Sequence, residues 1–344
     1  MGQNITIIGD GSMATVCAML LESQGHQVTM WGAFADHIAD LIQTRRNPHL
    51  PAYRIPPSIH LTHDEATVFD GAELVVSAVP TQYMRPVWTR LSSYLPQDIP
   101  IVSVAKGIEN DTHLRPTQII ASVLQLSGSN IDNPDRAARP LGALSGPSVA
   151  DELARCLPAT VCAASDDPLF TQTLQQIFTT QWFRVYTNDD LLGVELAGAT
   201  KNVIALAAGI LDGLQAGNNA KSALLSRGLA EITRLGTAMG ARYQTFYGLA
   251  GVGDLATTCF SPTGRNRSCG EQLGKGKSLE DVLESINGVV EGVPTTKSVV
   301  ALADRYRVEM PITTAVYQVL FKGLDPIEAI SQLMSRELKP ENIA

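Results

Sequence analysis

Short apolar runs bounded by glycine and proline alternate with helical stretches through the first half of the chain. Ile5–Gly9 reads as a strand, Ser12 to Gln24 as a helix stopped by Gly25, and Gln27–Trp31 as a second strand. Glu73–Val79 (ELVVSAV) is a continuous apolar run ending at Pro80, as expected of a strand buried on both faces. Ile101–Ala105 and Leu141–Ser145 repeat the pattern, each followed closely by a glycine. Strands alternating with helices imply βαβ units, hence a doubly wound parallel sheet with helices on both faces. From about Asp190 the pattern changes. Val194–Leu214, Ala220–Met239 and Thr295–Tyr306 have helical length, many alanines and few β-branched runs. The expected organisation is an α/β domain over residues 1–190 and an all-helical domain over 191–344. Ser127–Pro140, rich in Ser, Gly, Asn, Asp and Pro, reads as an exposed loop.

Composition narrows the function classes. With 344 residues, 44% of them hydrophobic, the chain can bury two cores. A net charge of −8 argues against non-specific binding to nucleic acid or to an anionic membrane. The five cysteines form no C-x-x-C pair, so reduced thiols in a cytoplasmic protein are expected, with no metal site. A strand beginning at Asn4 leaves no room for a secretory leader, and no apolar run reaches the roughly 18 residues of a membrane span. Gly2 to Thr6 matches an acylation pattern formally, but Thr6 falls inside the first strand. The apolar helices of the second half are compatible with a homodimer.

Gly9-Asp10-Gly11-Ser12-Met13-Ala14 fits G-x-G-x-x-A between a strand and a helix. In that context Gly9 permits the tight turn, Gly11 lets backbone approach a pyrophosphate, and Ala14 lets helix and strand pack closely. The helix N-terminus supplies free N–H groups and a positive dipole end. This is the dinucleotide turn of a Rossmann-like domain. The acid that ordinarily ends the second strand and holds the ribose 2′-hydroxyl is missing, because the strand runs Met30-Trp31-Gly32-Ala33. Asp36 lies a few residues late, and Arg45 and Arg46 are cations that could neutralise a 2′-phosphate. The cofactor is therefore NAD or NADP.

Hydride transfer from an alcohol needs a group to take the hydroxyl proton. The six histidines all lie before residue 114, outside any site-like cluster, and no Tyr-x-x-x-Lys pattern occurs. Two lysines stand out. Lys106 follows an apolar strand, at the carboxyl edge of the sheet where doubly wound folds bind ligands. Lys201 sits in GVELAGATKNVIALAAGI, on a nearly uncharged helical face with Ala205 and Ala208. Burial there would lower its pKa toward that of a useful base, though a lysine whose ammonium reaches out to solvent is the alternative. The stretch GLAGVGDLATTCFSPTGRN carries Asp254 in a neutral, Gly-rich loop. It ends on Arg265 and Asn266, which open a helix, a combination suited to a phosphate.

These residues resemble a known family, the bacterial-type NAD(P)-dependent glycerol-3-phosphate dehydrogenases. The resemblance runs through GDGSMAT, NPHLPAYRIP, VVSAVPTQYMR, SVAKGIE and LSGPSVADELARCLPATV. It continues through FRVYTNDDLLGVELAGATKNVIALAAGILDGL, NAKSALLSRGLAEI, TFYGLAGVGDLATTC and VVEGVPTT. It implies interconversion of dihydroxyacetone phosphate and sn-glycerol 3-phosphate in the cytoplasm, feeding phospholipid synthesis, with NADPH favoured. It implies Lys201 as general acid/base, Lys106 on both substrate and nicotinamide, and Asp254 on a substrate hydroxyl or on Lys201. Gly146, Ser148, Gly264, Arg265 and Asn266 would bind substrate, the last two gripping its phosphate. Gly9, Gly11, Ser12, Met13, Ala33, Ala150, Arg265, Val289 and Glu291 would line the cofactor. Three positions depart from the family: Gly264 stands where serine is usual, Met13 where an aromatic is common, and Ala14 where glycine is common. The loop near Asn133–Arg139 is also longer than usual. The rival readings are a related two-domain β-hydroxyacid or sugar-acid dehydrogenase, and a nucleotide-binding homologue with impaired catalysis.

Overall fold

A computed structural model describes residues 2–125, 139–338 and 340–341. Residues 127–138 of the Ser127–Pro140 loop, and most of the stretch that looks longer than usual, lie outside the described residues. Two compact units divide the chain: Met1–Ala105 with Pro116–Leu191, and Lys106–Arg115 with Leu192–Ala344.

The first unit is built on β1 (Asn4–Ile8), β2 (Gln27–Trp31), β3 (His60–Thr62), β4 (Leu74–Ser77), β5 (Ile101–Ser103), β6 (Leu141–Ser145), β7 (Ala159–Ser165) and β8 (Phe183–Asn188). They form one sheet in the order β3-β2-β1-β4-β5-β6-β7-β8. Helices α1 (Ser12–Ser23), α2 (Ala35–Thr44), α3 (Thr81–Leu91), α4 (Pro116–Val123), α5 (Ala150–Ala154) and α6 (Pro168–Phe178) connect them. β1 pairs in parallel with β2 on one side and β4 on the other, so the strand order reverses beside β1. Ligands bind at such a switch point, outside the carboxyl ends of the strands. Ile5, Ile7, Val76 and Val102 are essentially fully buried beneath the helices, which explains the unbroken apolar runs.

The sheet departs from the parallel expectation in one place: β6 and β7 are antiparallel. Only the five-residue α5 lies between them, and a parallel return needs a longer packed crossover. The pattern along the chain also missed β3, β7 and β8. β3 has three residues, β7 is made largely of alanine and other small residues, and β8 alternates buried and exposed positions at its start.

The second unit is helical: α7 (Leu191–Gly213), α8 (Gly217–Ala238), α9 (Tyr243–Phe246), α10 (Asp254–Phe260), α11 (Arg265–Gly274), α12 (Leu279–Ser285), α13 (Gly292–Tyr306), α14 (Pro311–Lys322) and α15 (Pro326–Met334). The segment Leu249–Gly253, kinked at Gly251, leads into α10. α7 is long and apolar enough to cross a membrane, but nearly all of its apolar window is buried within the protein. It packs on α11 backbone to backbone. A Cβ at Gly209 would lie 1.9 Å from Arg267 O, and one at Gly270 would lie 2.0 Å from Leu206 O.

A boundary between residues 190 and 191 assigns Lys106–Arg115 to the first domain; in the structure this segment groups with the second unit. Buried polar groups hold it there. Arg115 pairs with Glu195, Asn202 Nδ2 donates to Lys106 O at 2.8 Å, and Ser298 Oγ donates to Ile108 O at 3.1 Å. Each carbonyl or charge so buried would cost free energy if left unpartnered, so the segment follows its partners.

Candidate active site

The glycine-rich turn leaves β1 and enters α1 as its spacing predicts. Gly9 has φ +124° and donates its N–H to Trp31 O at 2.8 Å. A Cβ there would lie 2.8 Å from Ala78 O at the end of β4, so only glycine fits. Gly11 precedes α1 in an extended conformation and offers no side-chain cap. A Cβ on it would meet nothing within 4 Å. The N–H groups of the first turn have no side-chain cap, and nothing crowds the backbone at Gly11, which suits the approach of a pyrophosphate. Ala14 is buried against the sheet, and Met13 packs half-buried on the same core. The turn fits a dinucleotide.

The other first-unit candidates lie at strand ends. Ala33 follows β2 by two residues. Gly146 follows β6 with φ +139°, where a Cβ would lie 2.9 Å from Val161 Cα. Ser148 Oγ donates to Gly146 O at 3.0 Å, folding the turn that begins α5 at Ala150. Arg45 and Arg46 are committed elsewhere. Arg45 Nη1 donates to Ile59 O at 2.9 Å, and Arg46 Nη1 donates to Pro51 O at 2.7 Å.

In the second unit, three residues far apart in sequence meet. Asp254 Oδ1 accepts from Lys201 Nζ at 2.5 Å, and its Oδ2 accepts from Lys106 Nζ at 2.7 Å. Lys201 Nζ also donates to Thr258 Oγ1 at 2.5 Å. Asp254 and Lys201 are buried, while the Lys106 side chain keeps 16% of its surface exposed. Burial pulls the Lys201 ammonium down to about 8; Asp254 opposes that fall and Lys106 reinforces it. Burial alone would push the Asp254 carboxyl up, but Lys106 and Lys201 hold it below the usual carboxylate range. The result is a carboxylate held between two lysine nitrogens, with the Lys201 ammonium lowered to about 8. Asp254 is not in a loop, as the sequence suggests, but is the first residue of α10. The helix then brings Thr258, one turn on, against the same lysine.

The phosphate-binding candidates lie on α11. Gly264 is its N-cap and makes no side-chain bond, so the N–H groups of the first turn are uncapped. Arg265 is exposed at the first helical position, and among the described residues its guanidinium makes no hydrogen bond. Glu291 lies within electrostatic reach of Arg265. Val289 belongs to the segment that leads to α13. Asn266 does more than the sequence indicates: Nδ2 donates to Asn202 Oδ1 at 2.9 Å, and Oδ1 accepts from Gly292 N at 2.8 Å. With the Asn202–Lys106 bond this forms a relay from α13 through α11 and α7 to the lysine. Asn202 and Thr258 were missed by sequence reasoning. Their adjacency to Lys201 and their i+4 spacing from Asp254 were the available signals.

Comparison with known proteins identifies one family. The family model for the N-terminus of NAD-dependent glycerol-3-phosphate dehydrogenase matches residues 4–171, and that for the C-terminus matches residues 190–331. A glycerol-3-phosphate dehydrogenase (NAD(P)+) of Geobacter sp. strain M21 is 44% identical over 344 residues, covering 100% of both chains. That of Geobacillus thermodenitrificans is 46% identical over 341 residues, covering 98% of this chain and 96% of the relative. The crystal structure of glycerol-3-phosphate dehydrogenase from Coxiella burnetii superposes with a TM-score of 0.91 at 35% identity, covering 97% of this chain and 99% of that one.

Proposed function

This chain belongs to the NAD(P)-dependent glycerol-3-phosphate dehydrogenase family, and from that premise we propose that it interconverts dihydroxyacetone phosphate and sn-glycerol 3-phosphate, with Lys201 moving the proton. The observation that carries the reading is the buried Lys106–Asp254–Lys201 cluster. A bound reduced nicotinamide supplies the hydride that forms the new C–H bond at C2.

The residues of the chain do the rest. As an ammonium, Lys201 gives its proton to the oxygen that gains charge as C2 is reduced; as a neutral amine, it takes that proton back in the oxidation. Its lowered pKa keeps both forms accessible near neutral pH. Asp254 holds the Lys201 and Lys106 nitrogens in place, and Lys106 adds positive charge beside the developing alkoxide. Arg265, whose guanidinium makes no hydrogen bond among the described residues, and the uncapped start of α11 grip the phosphate. Asn266 adds the amide hydrogen that Asn202 does not use. The family resemblance gives Gly146 and Ser148 as substrate residues of the first unit, and Gly9, Gly11, Ser12, Met13, Ala33 and Ala150 as its cofactor residues. Within the second unit it gives Lys106, Arg265, Val289 and Glu291 the cofactor role. The proposed partners are small molecules, in a cytoplasmic setting, without nucleic acid or stable membrane attachment; a homodimer is compatible with this reading.

The test follows NADH and NADPH oxidation with dihydroxyacetone phosphate, using unphosphorylated dihydroxyacetone as control. Turnover confined to the phosphate ester supports the reading. Equal turnover of both ketones, or none with either, refutes it.

A further inference from the structure

Gly32 follows β2 directly, where a dinucleotide fold ordinarily carries the acid for the ribose 2′-hydroxyl. Here that residue has no side chain, and the space is taken from the other side. A Cβ at Gly32 would lie 2.3 Å from Asp10 Oδ2 and 2.9 Å from Asp10 Cγ. Asp10 is the residue between the two glycines of the turn, so a carboxylate reaches the end of β2 from the phosphate loop itself. The loop is fixed there: Asn47 Nδ2 donates to Asp10 O at 2.8 Å and to Thr15 Oγ1 at 2.7 Å.

Asp10 Oδ2 is shielded from solvent and, among the described residues, accepts no hydrogen bond. Burial raises the Asp10 pKa, with His37 and His49 opposing. His37 Nε2 stands 3.9 Å away, an ion pair only when the imidazole is protonated. A shielded carboxylate oxygen without a donor is costly. The Asp10 side chain nevertheless keeps 25% of its surface exposed, and a ligand hydroxyl would reach the carboxylate through that part rather than through Oδ2. A 2′-phosphate would instead bring nearly two negative charges against it. The neighbouring arginines offer little to offset that. Arg90 pairs with Glu65, donates to Ala33 O at 3.2 Å and lies over the Trp31 ring. Arg45 and Arg46 are bound to main-chain carbonyls.

We propose that the Asp10 carboxylate accepts the adenosine ribose hydroxyl in place of the acid missing after β2, and thereby makes this chain prefer the nucleotide with a free 2′-hydroxyl. The proposal rests on the dinucleotide reading of the first unit. It also runs against the family resemblance, which favours NADPH.

Titrating the whole protein with NADH and with NADPH, read by nicotinamide fluorescence, gives both dissociation constants without turnover. Wild type should bind NADH at least about tenfold more tightly, the scale of one hydrogen bond to a charged group. Asp10→Asn, isosteric and neutral, should weaken NADH and tighten NADPH so that the ratio closes by about tenfold. Asp10→Ser, which is shorter, should close it in the same direction. Tighter NADPH binding by wild type, or an equal loss for both nucleotides in the variants, overturns the proposal. Binding of neither nucleotide by folded wild type brings down the dinucleotide reading, and this proposal with it.

Discussion

The nucleotide turn and the lysine cluster are built on opposite plans. The turn is local and made of backbone: six consecutive residues, two of them glycines, expose N–H groups that need no side chain. The cluster is non-local and made of side chains: Lys106, Lys201 and Asp254 meet from α7, α10 and the segment before α4. A backbone site tolerates change in the side chains around it but not at its glycines. A side-chain site depends on burial, because burial is what lowers the Lys201 pKa and makes the Asp254 charge count.

Four variants probe the contrast, from the largest effect to the smallest. Lys201→Ala should lower kcat by about a thousandfold, within the range of general acid–base catalysis, while nucleotide affinity in a titration stays within about twofold. Asp254→Ala leaves two ammonium groups facing each other with no anion between them. It should cost about 3–5 kcal/mol in chemical denaturation, the scale for removing one partner of a buried ion pair. Gly9→Ala makes the opposite cut. Strain at its positive φ and the clash with Ala78 O should cost about 1–3 kcal/mol and weaken nucleotide binding, yet leave the Lys201 titration in place. Gly264→Ser should be the mildest, because a Cβ there meets only ordinary contacts at 3.5 Å. A serine N-cap should add a few tenths of a kcal/mol in thermal melting and lower KM for the phosphate ester.

The same contrast explains what could be read from the sequence. β1, α1 and β2, with the turn between them, follow from periodicity and glycine spacing, which are short-range signals. The α11 start at Arg265 was legible for the same reason. The lysines could be singled out by their neutral surroundings, but nothing local says that one carboxylate bridges them. The membership of Lys106–Arg115 in the second unit depends on Glu195, Asn202 and Ser298, all remote in sequence. The reach of Asp10 to Gly32 is likewise invisible until β1 and β2 are paired.

The pH dependence of kcat in both directions tests the central claim most directly, namely that Lys201 carries the proton. Ketone reduction needs the ammonium, so its rate should fall as pH rises through about 8, while alcohol oxidation should rise through the same pH. The residual activity of Lys201→Ala should lack both breaks. Profiles that stay level through that range, or that survive unchanged in Lys201→Ala, would contradict the account.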